Sequence, residues 1–591
     1  MNALAGSYAA GYACLSAWAD LLDRINVFPV ADGDTGTNLR ISLAPFRSPV
    51  EDRDSTRHLL ARCATGNSGN IAAAFFQELC RAEDFSGLAA GAARGRDKAW
   101  QAIADPCPGT MLSVFDTLAA VLATHTEQTS LYPCLAKELQ RAVRDTTKHL
   151  ADLQNAGVVD SGALAMFVFF DGFFRHLTGQ TGSARSIFDL FAGNLTIKDS
   201  FHQEVSASYC VDALLKVEEP ITAGEIAENQ AIKERLAKLG DSLVVIEDQS
   251  YLKIHIHTPD PCGLRGDLDR LGDVVSWSDE AMAKSHTQPA TYSAKKPVLH
   301  IITDAAGSLP RDMARYYGIS LLDSYIVAGD DCRPESLYTP KHLYALLREG
   351  RKVTTAQAGS FERQQHYQSI CQQFGDSLYL AVGSAFTGNY AAAIAWKAGH
   401  VLGERLTVID TGAASGRLAL IALLTARKAY LAETPGELIA YAERMTEQCA
   451  EYVFINELKY LVAGGRVSRT SGIFADLLHM KPIISPAKSG VRKVGVVRSS
   501  KGQLAFALHR LRQLPGRTDH SSTATILLQY SDNEDWVAGR VQQQVREAMP
   551  DAEILLCPIS LTSGVHMGPG TWSMAVVSPQ AQLPEDGHSA N

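Results

Sequence analysis

The period of the hydrophobic residues changes near position 200, and this change constrains the fold more than any other feature. Before it, apolar residues recur at helical spacing, as in Leu15, Trp18, Ala19 and Leu22 and later in Leu118, Val121 and Leu122. Short polar segments separate these stretches. Each carries glycine: Asp32-Gly-Asp-Thr-Gly-Thr-Asn38, Thr65-Gly-Asn-Ser-Gly69, Pro108-Gly-Thr-Met111 and Val159-Asp-Ser-Gly162. Helix bundles build sites where such loops converge at one end. From about Phe201, Leu243-Val-Val-Ile246 and Leu252-Lys-Ile-His-Ile-His257 read as strands, the second with period-two alternation. A mixed stretch with Pro289 and a Lys-Lys pair reads as a linker. Beyond it, Val298-Leu-His-Ile-Ile302, Ser377-Leu-Tyr-Leu-Ala-Val382 and Leu406-Thr-Val-Ile409 each run into polar residues and then a helix. That alternation predicts an α/β domain with a mainly parallel sheet, binding ligands at the strand C-termini.

A chain of 591 residues is too long for one core. The expected organisation is a helical domain over 1–180, a small α/β domain over 195–283, a linker over 284–297, an α/β part over 298–583 and a flexible tail over 584–591. Net charge is -9 with no long basic run, which disfavours nucleic acid or a general anionic membrane surface as partner. No apolar run approaches the ~20 residues of a membrane span, and Met1 to Ala10 lacks a signal-peptide pattern. The eleven cysteines are scattered without a Cys-x-x-Cys pair, as expected of reduced thiols in a cytoplasmic protein.

Asp32 and Asp34 flank a single glycine. Two carboxylates held close repel unless a cation lies between them, and Mg2+ suits one or two carboxylates completed by water and nucleotide phosphates. A polar turn capping a helix explains an isolated Asp-Gly-Asp equally well. Further on, Lys253, His255 and His257 share one face of a strand. Two imidazoles there, with Cys210 from another strand, form a set that a transition metal can use. A solvated His-x-His pair on an edge strand and a core cysteine explain the same residues.

The longer strings carry a resemblance. Asn26-Val-Phe-Pro-Val-Ala-Asp-Gly-Asp-Thr-Gly-Thr-Asn-Leu39 resembles the signature of the kinase subunit of bacterial fatty acid kinase, whose first domain belongs with the nucleotide-binding domain of dihydroxyacetone kinases. Gly66-Asn-Ser-Gly69, Gly109-Thr-Met111 and Val158-Val-Asp-Ser-Gly162 keep the order and approximate spacing. The resemblance implies Mg2+ on Asp32 and Asp34 with Asn26 nearby. It also implies ATP phosphates against Thr35, Thr37, Asn38, Asn67, Ser68 and Gly69, and a nucleotide pocket completed by Thr110, Met111 and Asp160. Ala64-Thr65 departs from the family's small residue plus arginine. Gly240-Asp-Ser-Leu-Val-Val245 and His255-Ile-His-Thr-Pro-Asp-Pro261, with Tyr209-Cys210, resemble the middle domain of the same kinase. This implies Zn2+ on Cys210, His255 and His257, with a role for His257 at the transferring phosphate.

The remainder resembles the DegV family of fatty-acid carriers. The matching strings are Thr303-Asp304 with Leu309-Pro310, Thr355-Ala-Gln357, Gly383-Ser-Ala-Phe-Thr-Gly-Asn-Tyr390, Val408-Ile-Asp410, Leu458-Lys-Tyr-Leu-Val-Ala-Gly-Gly-Arg-Val-Ser468, Lys481-Pro-Ile483 and His566-Met-Gly-Pro-Gly570. Carried over, Thr355, Ser384 and His566 hold a fatty-acid carboxylate and Arg466 lies near it. A helix N-terminus at Thr387 and Gly388 adds partial positive charge. Ala305, Ala356 and Gly383 replace serines common in relatives.

The fold class expected is therefore multidomain: an all-α dihydroxyacetone-kinase-type helical barrel or bundle, a small α/β middle domain, and an α/β DegV-like domain pair. The resemblance implies a cytoplasmic fatty acid kinase of phospholipid metabolism that uses ATP, Mg2+ and Zn2+. It also implies a homodimer, a downstream enzyme that accepts the acyl phosphate, and no more than transient membrane contact. A triose kinase and a non-catalytic lipid-binding regulator are the competing functions.

Overall fold

The computed structural model describes residues 4–47, 53–125, 127–180, 186–202, 208–217, 226–282, 296–329, 331–464, 480–514 and 523–578. Arg466, the tail over 584–591 and most of the linker over 284–297 lie outside the described residues. The chain forms two units, Met1–Thr287 and Gln288–Asn591.

The first unit begins with a helical domain. Its central helix, Gly66–Leu79, is buried on nearly every side, as a helix apolar all round must be. Phe75 and Phe76 anchor it in an aromatic core. Phe75 stacks on Phe115 with ring centroids 3.9 Å apart, and Phe76 meets Phe46 and Phe169. The helices Ala5–Arg24, Met111–Thr124 and Ser161–Leu177 enclose this core. The chain past 180 still packs on it: Phe191 meets Phe167 edge to face, and the Val159 amide donates to the Asn194 carbonyl.

The middle domain is a four-stranded antiparallel sheet ordered Asp241–Asp248, Tyr251–Thr258, Tyr209–Lys216, Asp273–Ala281. Alternation divides its faces. Val211, Ala213, Leu215, Leu252, Ile254 and Ile256 form its own core with Leu264 and Leu268 of the helix Pro261–Leu268. Cys210, Asp212, Lys253, His255 and His257 occupy the other face, in a register that pairs Cys210 with His257 and Asp212 with His255. That face meets the helical domain, so the strand Tyr251–Thr258 is interior, not an edge, and His255 and His257 are only 0% and 3% exposed. The reading of a solvated edge pair is thereby excluded. Ile103 and Val244 bridge the two domains, and the Ala104 amide donates to the Leu243 carbonyl.

In the second unit, Leu406–Asp410, Ser377–Ala381, His300–Asp304 and Ile319–Leu322 form a wholly parallel sheet in that order. The sheet past residue 450 is mixed, ordered Gly490–Val497, Lys481–Ala487, Ala450–Phe454, Trp572–Val577, Thr525–Tyr530, Glu553–Pro558, and only its last pair is parallel. The expectation of parallel strands therefore fails there. Lys488 and Ser489 are all that join Lys481–Ala487 to Gly490–Val497, and parallel pairing needs a crossover of a dozen or more residues. The buried helix Ser415–Ala429 belongs to the core that includes residues of both sheets. A small sheet, Asp331–Pro334, Ser324–Ala328 and Val353–Gln357, completes the unit. Among the described residues no helix is long and apolar enough to cross a membrane.

Candidate active site

A cavity of about 460 Å³ in the first unit is lined by the start of four helices: Thr35 of Thr35–Ser42, Gly66 of Gly66–Leu79, Met111 of Met111–Thr124 and Ser161 of Ser161–Leu177. Helix N-termini carry partial positive charge and outward-pointing N–H groups, so their convergence suits a polyanion. Asp160 caps its helix by accepting from the Ala163 amide at 2.7 Å, and Thr110 accepts from the Leu112 amide at 3.4 Å. Asp34 and Thr65 do not cap the helices that follow them; the Thr37 and Gly66 amides donate instead to Asp23 and Asp212, at 2.9 Å each.

Asp32 and Asp34 line the same cavity. The Asn26 carboxamide donates to Asp32 at 2.5 Å, and the two carboxyls hydrogen-bond one another. Burial pushes both upward. Asp34, with the Asp32 charge as the second cause, rises to about 7. A cation between them removes that repulsion. Without one, folded Asp34 keeps a proton that the unfolded chain, with an ordinary carboxyl near ~3.9, has released. The folded state then binds more protons, so this group's contribution is complete below about pH 4 and is lost as pH rises toward 7. Metal-free Asp34→Asn should therefore gain melting temperature relative to wild type between pH 4 and 8, and Mg2+ should erase the difference by stabilising wild type alone.

Facing these acids, Cys210, His255 and His257 bring three ligand atoms within 4.8 Å of one another. Burial, then the neighbouring His255, depresses His257 to about 3, so it is the neutral imidazole that ligates metals. His255 Nε2 and His257 Nδ1 have no hydrogen-bond partner among the described residues. Two buried imidazoles with orphaned nitrogens beside a thiol fit Zn2+, and three protein ligands leave a fourth position open. Burial, then Asp212, Asp34 and Asp32, holds the Cys210 thiol above its usual range, a preference that a bound cation reverses.

In the second unit, Thr355 Oγ1 and His566 Nε2 lie 2.9 Å apart, from the strand Val353–Gln357 and the helix Leu561–Met567. Ser384 is exposed, and its amide donates to Asp410 at 3.0 Å. Thr387 Oγ1 accepts from the Asn389 amide where the helix Asn389–Gly399 begins. A nearby cavity among Asp304, Gln357, Arg363 and Asn389 measures about 10 Å³, room for a water at most, and none of Thr355, Ser384 and His566 lines it.

Three family models match in succession: the DAK2 domain over residues 29–175, the FakA-like middle domain of fatty acid kinases over 206–289, and the DegV family of uncharacterised proteins over 298–579. The chain joins a DAK2, a FakA-like and a DegV domain. Among curated relatives, an uncharacterized protein of Staphylococcus haemolyticus is 28% identical over 305 residues, 46% of this chain and 53% of that one. Protein YloV of Bacillus subtilis is 29% identical over 364 residues, 55% of this chain and 64% of YloV. The chain thus spans less than two thirds of the length of these relatives. Solved structures similar to it include a DegV family protein of Thermus thermophilus described by its fatty acid binding. The match has 22% identity and TM-score 0.43, and covers 47% of this chain and 99% of that one. DegV of Bacillus subtilis, described as a fatty acid binding protein, gives 18%, 0.43, 48% and 100%.

In the helical domain, the cavity wall includes Asn26, Asp32, Asp34, Thr35, Asn67, Ser68, Thr110, Met111 and Asp160, and the middle domain adds Cys210, His255 and His257. Thr37, Asn38 and Gly69 are not part of it. The Thr37 hydroxyl and amide both donate to Asp23, at 2.7 and 2.9 Å. Asn38 hydrogen-bonds Asp34 from behind. At Gly69, a Cβ would stand 2.1 Å from Ser42 Oγ, so this glycine serves helix packing. Gly36 does likewise: a Cβ there would stand 2.1 Å from the Ala19 carbonyl oxygen. Gly36→Ala should force the helix Thr35–Ser42 away from Ala5–Arg24, costing about 1–3 kcal/mol by chemical denaturation and weakening nucleotide binding.

Sequence reasoning missed Asp212, a middle-domain residue that reaches into the DAK2 domain. Its Oδ2 accepts from the Gly66 amide at 2.9 Å, its Oδ1 from Asn70 Nδ2 at 3.0 Å, and Lys253 Nζ lies 3.1 Å away. Burial alone would raise its carboxyl, but Lys253 and then His255 overcome this and hold it well below the carboxylate range. The signal was available: the period-two rule that grouped Lys253, His255 and His257 also puts Asp212 on the face of Cys210.

Proposed function

We propose that the protein is an ATP-dependent fatty acid kinase producing an acyl phosphate and ADP. The observation that carries this reading is the single cavity in which four helix N-termini, a carboxylate pair and a Cys/His triad meet. The order of the three domains supports it.

Asp32, oriented by the Asn26 carboxamide, and Asp34 would hold Mg2+, which would neutralise charge on the nucleotide phosphates. The helix starts at Thr35 and at Asn67 and Ser68, which line the cavity, receive phosphate oxygens, and Thr110, Met111 and Asp160 complete the nucleotide pocket. Cys210, His255 and His257 would hold Zn2+, which would supply positive charge on the facing wall. A fatty-acid carboxylate oxygen attacks the γ-phosphorus. The bond from that phosphorus to the β–γ bridging oxygen breaks, and ADP leaves with the electron pair. The nucleophile is ionised at neutral pH, so no general base is required, and catalysis is positioning and charge neutralisation. The acyl chain is bound by the DegV domain, with its carboxylate held by Thr355, Ser384 and His566. Burying the tail gains about 0.8 kcal/mol per methylene, leaving the head group to fix orientation.

ADP release measured with oleate or palmitate against dihydroxyacetone tests the reading. Stimulation by the fatty acid alone is expected, and turnover with the triose alone would overturn it. Thr355→Val combined with His566→Ala should weaken fatty acid binding by about tenfold or more, the worth of a hydrogen bond to a charged group, while leaving nucleotide affinity unchanged. Titration with a fluorescent fatty acid reads the first effect and calorimetry with ADP the second.

A further inference from the structure

Asp212 meets both halves of the first unit at once. Its carboxylate accepts from Gly66 N, from Thr65 Oγ1 at 3.2 Å and from Asn70 Nδ2, all at the start of the helix whose Asn67 and Ser68 line the cavity. On its other side lie Lys253 Nζ and, at 3.6 Å from Oδ2, His255 Nδ1. The loop has no slack to absorb a shift of this carboxylate. Gly66 sits at φ +64, and a Cβ there would lie 1.9 Å from Asn38 Nδ2, so Asn38 closes the opposite side.

The geometry points to Asp212 as a positioning residue that couples metal occupancy at Cys210, His255 and His257 to nucleotide binding at the Gly66 loop. This rests on the nucleotide reading of the cavity. With metal on the triad, the His255 ring is pinned, and Asp212 is left to hold the Gly66 amide and Asn70. Without it, His255 Nε2 and His257 Nδ1 are orphaned and the His255 ring is no longer pinned, so its opposite edge, with Nδ1 3.6 Å from Asp212 Oδ2, is free to swing and draw the carboxylate with it. A turn of the carboxylate toward the imidazole releases Gly66, and the helix start that receives phosphate loses its alignment. Carboxylates behind metal-bound histidines tune metal affinity by about 10–100-fold in other proteins. Here the same carboxylate also holds a helix terminus, so the effect reaches a second ligand.

The test is calorimetry of Mg-ADP binding to the full chain, loaded with Zn2+ and stripped by chelator. Stripping should weaken ADP affinity by about tenfold, and saturating ADP should tighten Zn2+, read by competition with a chromophoric chelator, by the same factor, because coupling is reciprocal. In Asp212→Asn the factor should fall to near one while both ligands still bind. Asp212→Asn combined with Lys253→Met removes both charges and leaves no buried ion alone, and it should behave the same way. A wild-type factor of one, or an undiminished factor in both variants, overturns the inference and leaves the kinase reading standing. Wild type that binds no Mg-ADP at all sinks both.

Discussion

Asp34→Ala is expected to lower fatty-acid-dependent ADP release by about 10³-fold, the scale of several kcal/mol of charge stabilisation lost with a displaced metal. Asp34 is the right residue to remove because its other partners are few. Asn38 hydrogen-bonds it from behind, Asp32 repels it, and burial disfavours its charge. Little in that surrounding favours an ionised carboxylate, so the native fold tolerates it at a cost that function must recover with a cation. The variant should therefore melt no lower than wild type in the absence of Mg2+ at pH 8, and it should bind fatty acid normally. Loss of turnover with retained or increased stability separates a metal ligand from a structural cap. Turnover that survives, even if folding is unaffected, would remove the loop from the catalytic site.

How far the sequence reveals this site depends on the range of the interactions involved. The helix starts at Thr35, Gly66, Met111 and Ser161 were legible because glycine and small polar residues punctuate apolar periodicity within a few positions. Pairing of Cys210 with His255 and His257 depended on strand register: alternation put the two histidines on one face, and the resemblance to the kinase middle domain joined Cys210 to them. The roles of the individual glycines were not legible. Gly36 and Gly69 sit in strings that suggest backbone approach to phosphate, yet what forbids a side chain is Ala19 in one case and Ser42 in the other. Those contacts come from helix packing, which no local pattern records. Thr37 was misplaced for the same reason, since its partner Asp23 lies on the preceding helix. In the DegV domain, Asp304 stands at a strand C-terminus, the place where α/β sheets bind ligands. It is instead fully enclosed, accepting from Tyr379 at 2.8 Å, the Val382 amide at 2.8 Å and Asn389 at 2.6 Å. Its string marks a buried polar hub that fixes the strand ends, while Thr355 and His566, far apart in sequence, meet where the strand Val353–Gln357 and the helix Leu561–Met567 come together.

Lys253→Ala should destabilise the first unit by about 3–5 kcal/mol, the range for breaking a buried ion pair from one side. Both side chains are 8% exposed. Removing the ammonium takes away the largest charge partner of Asp212, leaving Gly66, Thr65, Asn70 and His255 around it, and burial then pushes its carboxyl toward protonation. A protonated Asp212 no longer attracts the Gly66 amide as an anion, so the start of the helix Gly66–Leu79 loosens along with the sheet face. Because the chain has two units and its unfolding need not be two-state, the informative measurement is amide exchange. Protection at Gly66 and Asn67 should fall before that of the core helix positions Phe75 and Phe76. Asp212→Asn combined with Lys253→Met should restore most of the global stability without restoring full protection at Gly66, because a neutral carboxamide is a weaker acceptor than a carboxylate. If Lys253→Ala instead costs under about 1 kcal/mol and leaves Gly66 protected, the ion pair adds little. The two domains are then held by the backbone pairing at Ile103 and Val244 and by contacts such as His58 with Asp248 at 2.8 Å, and the charge on Asp212 has no part in shaping the nucleotide loop.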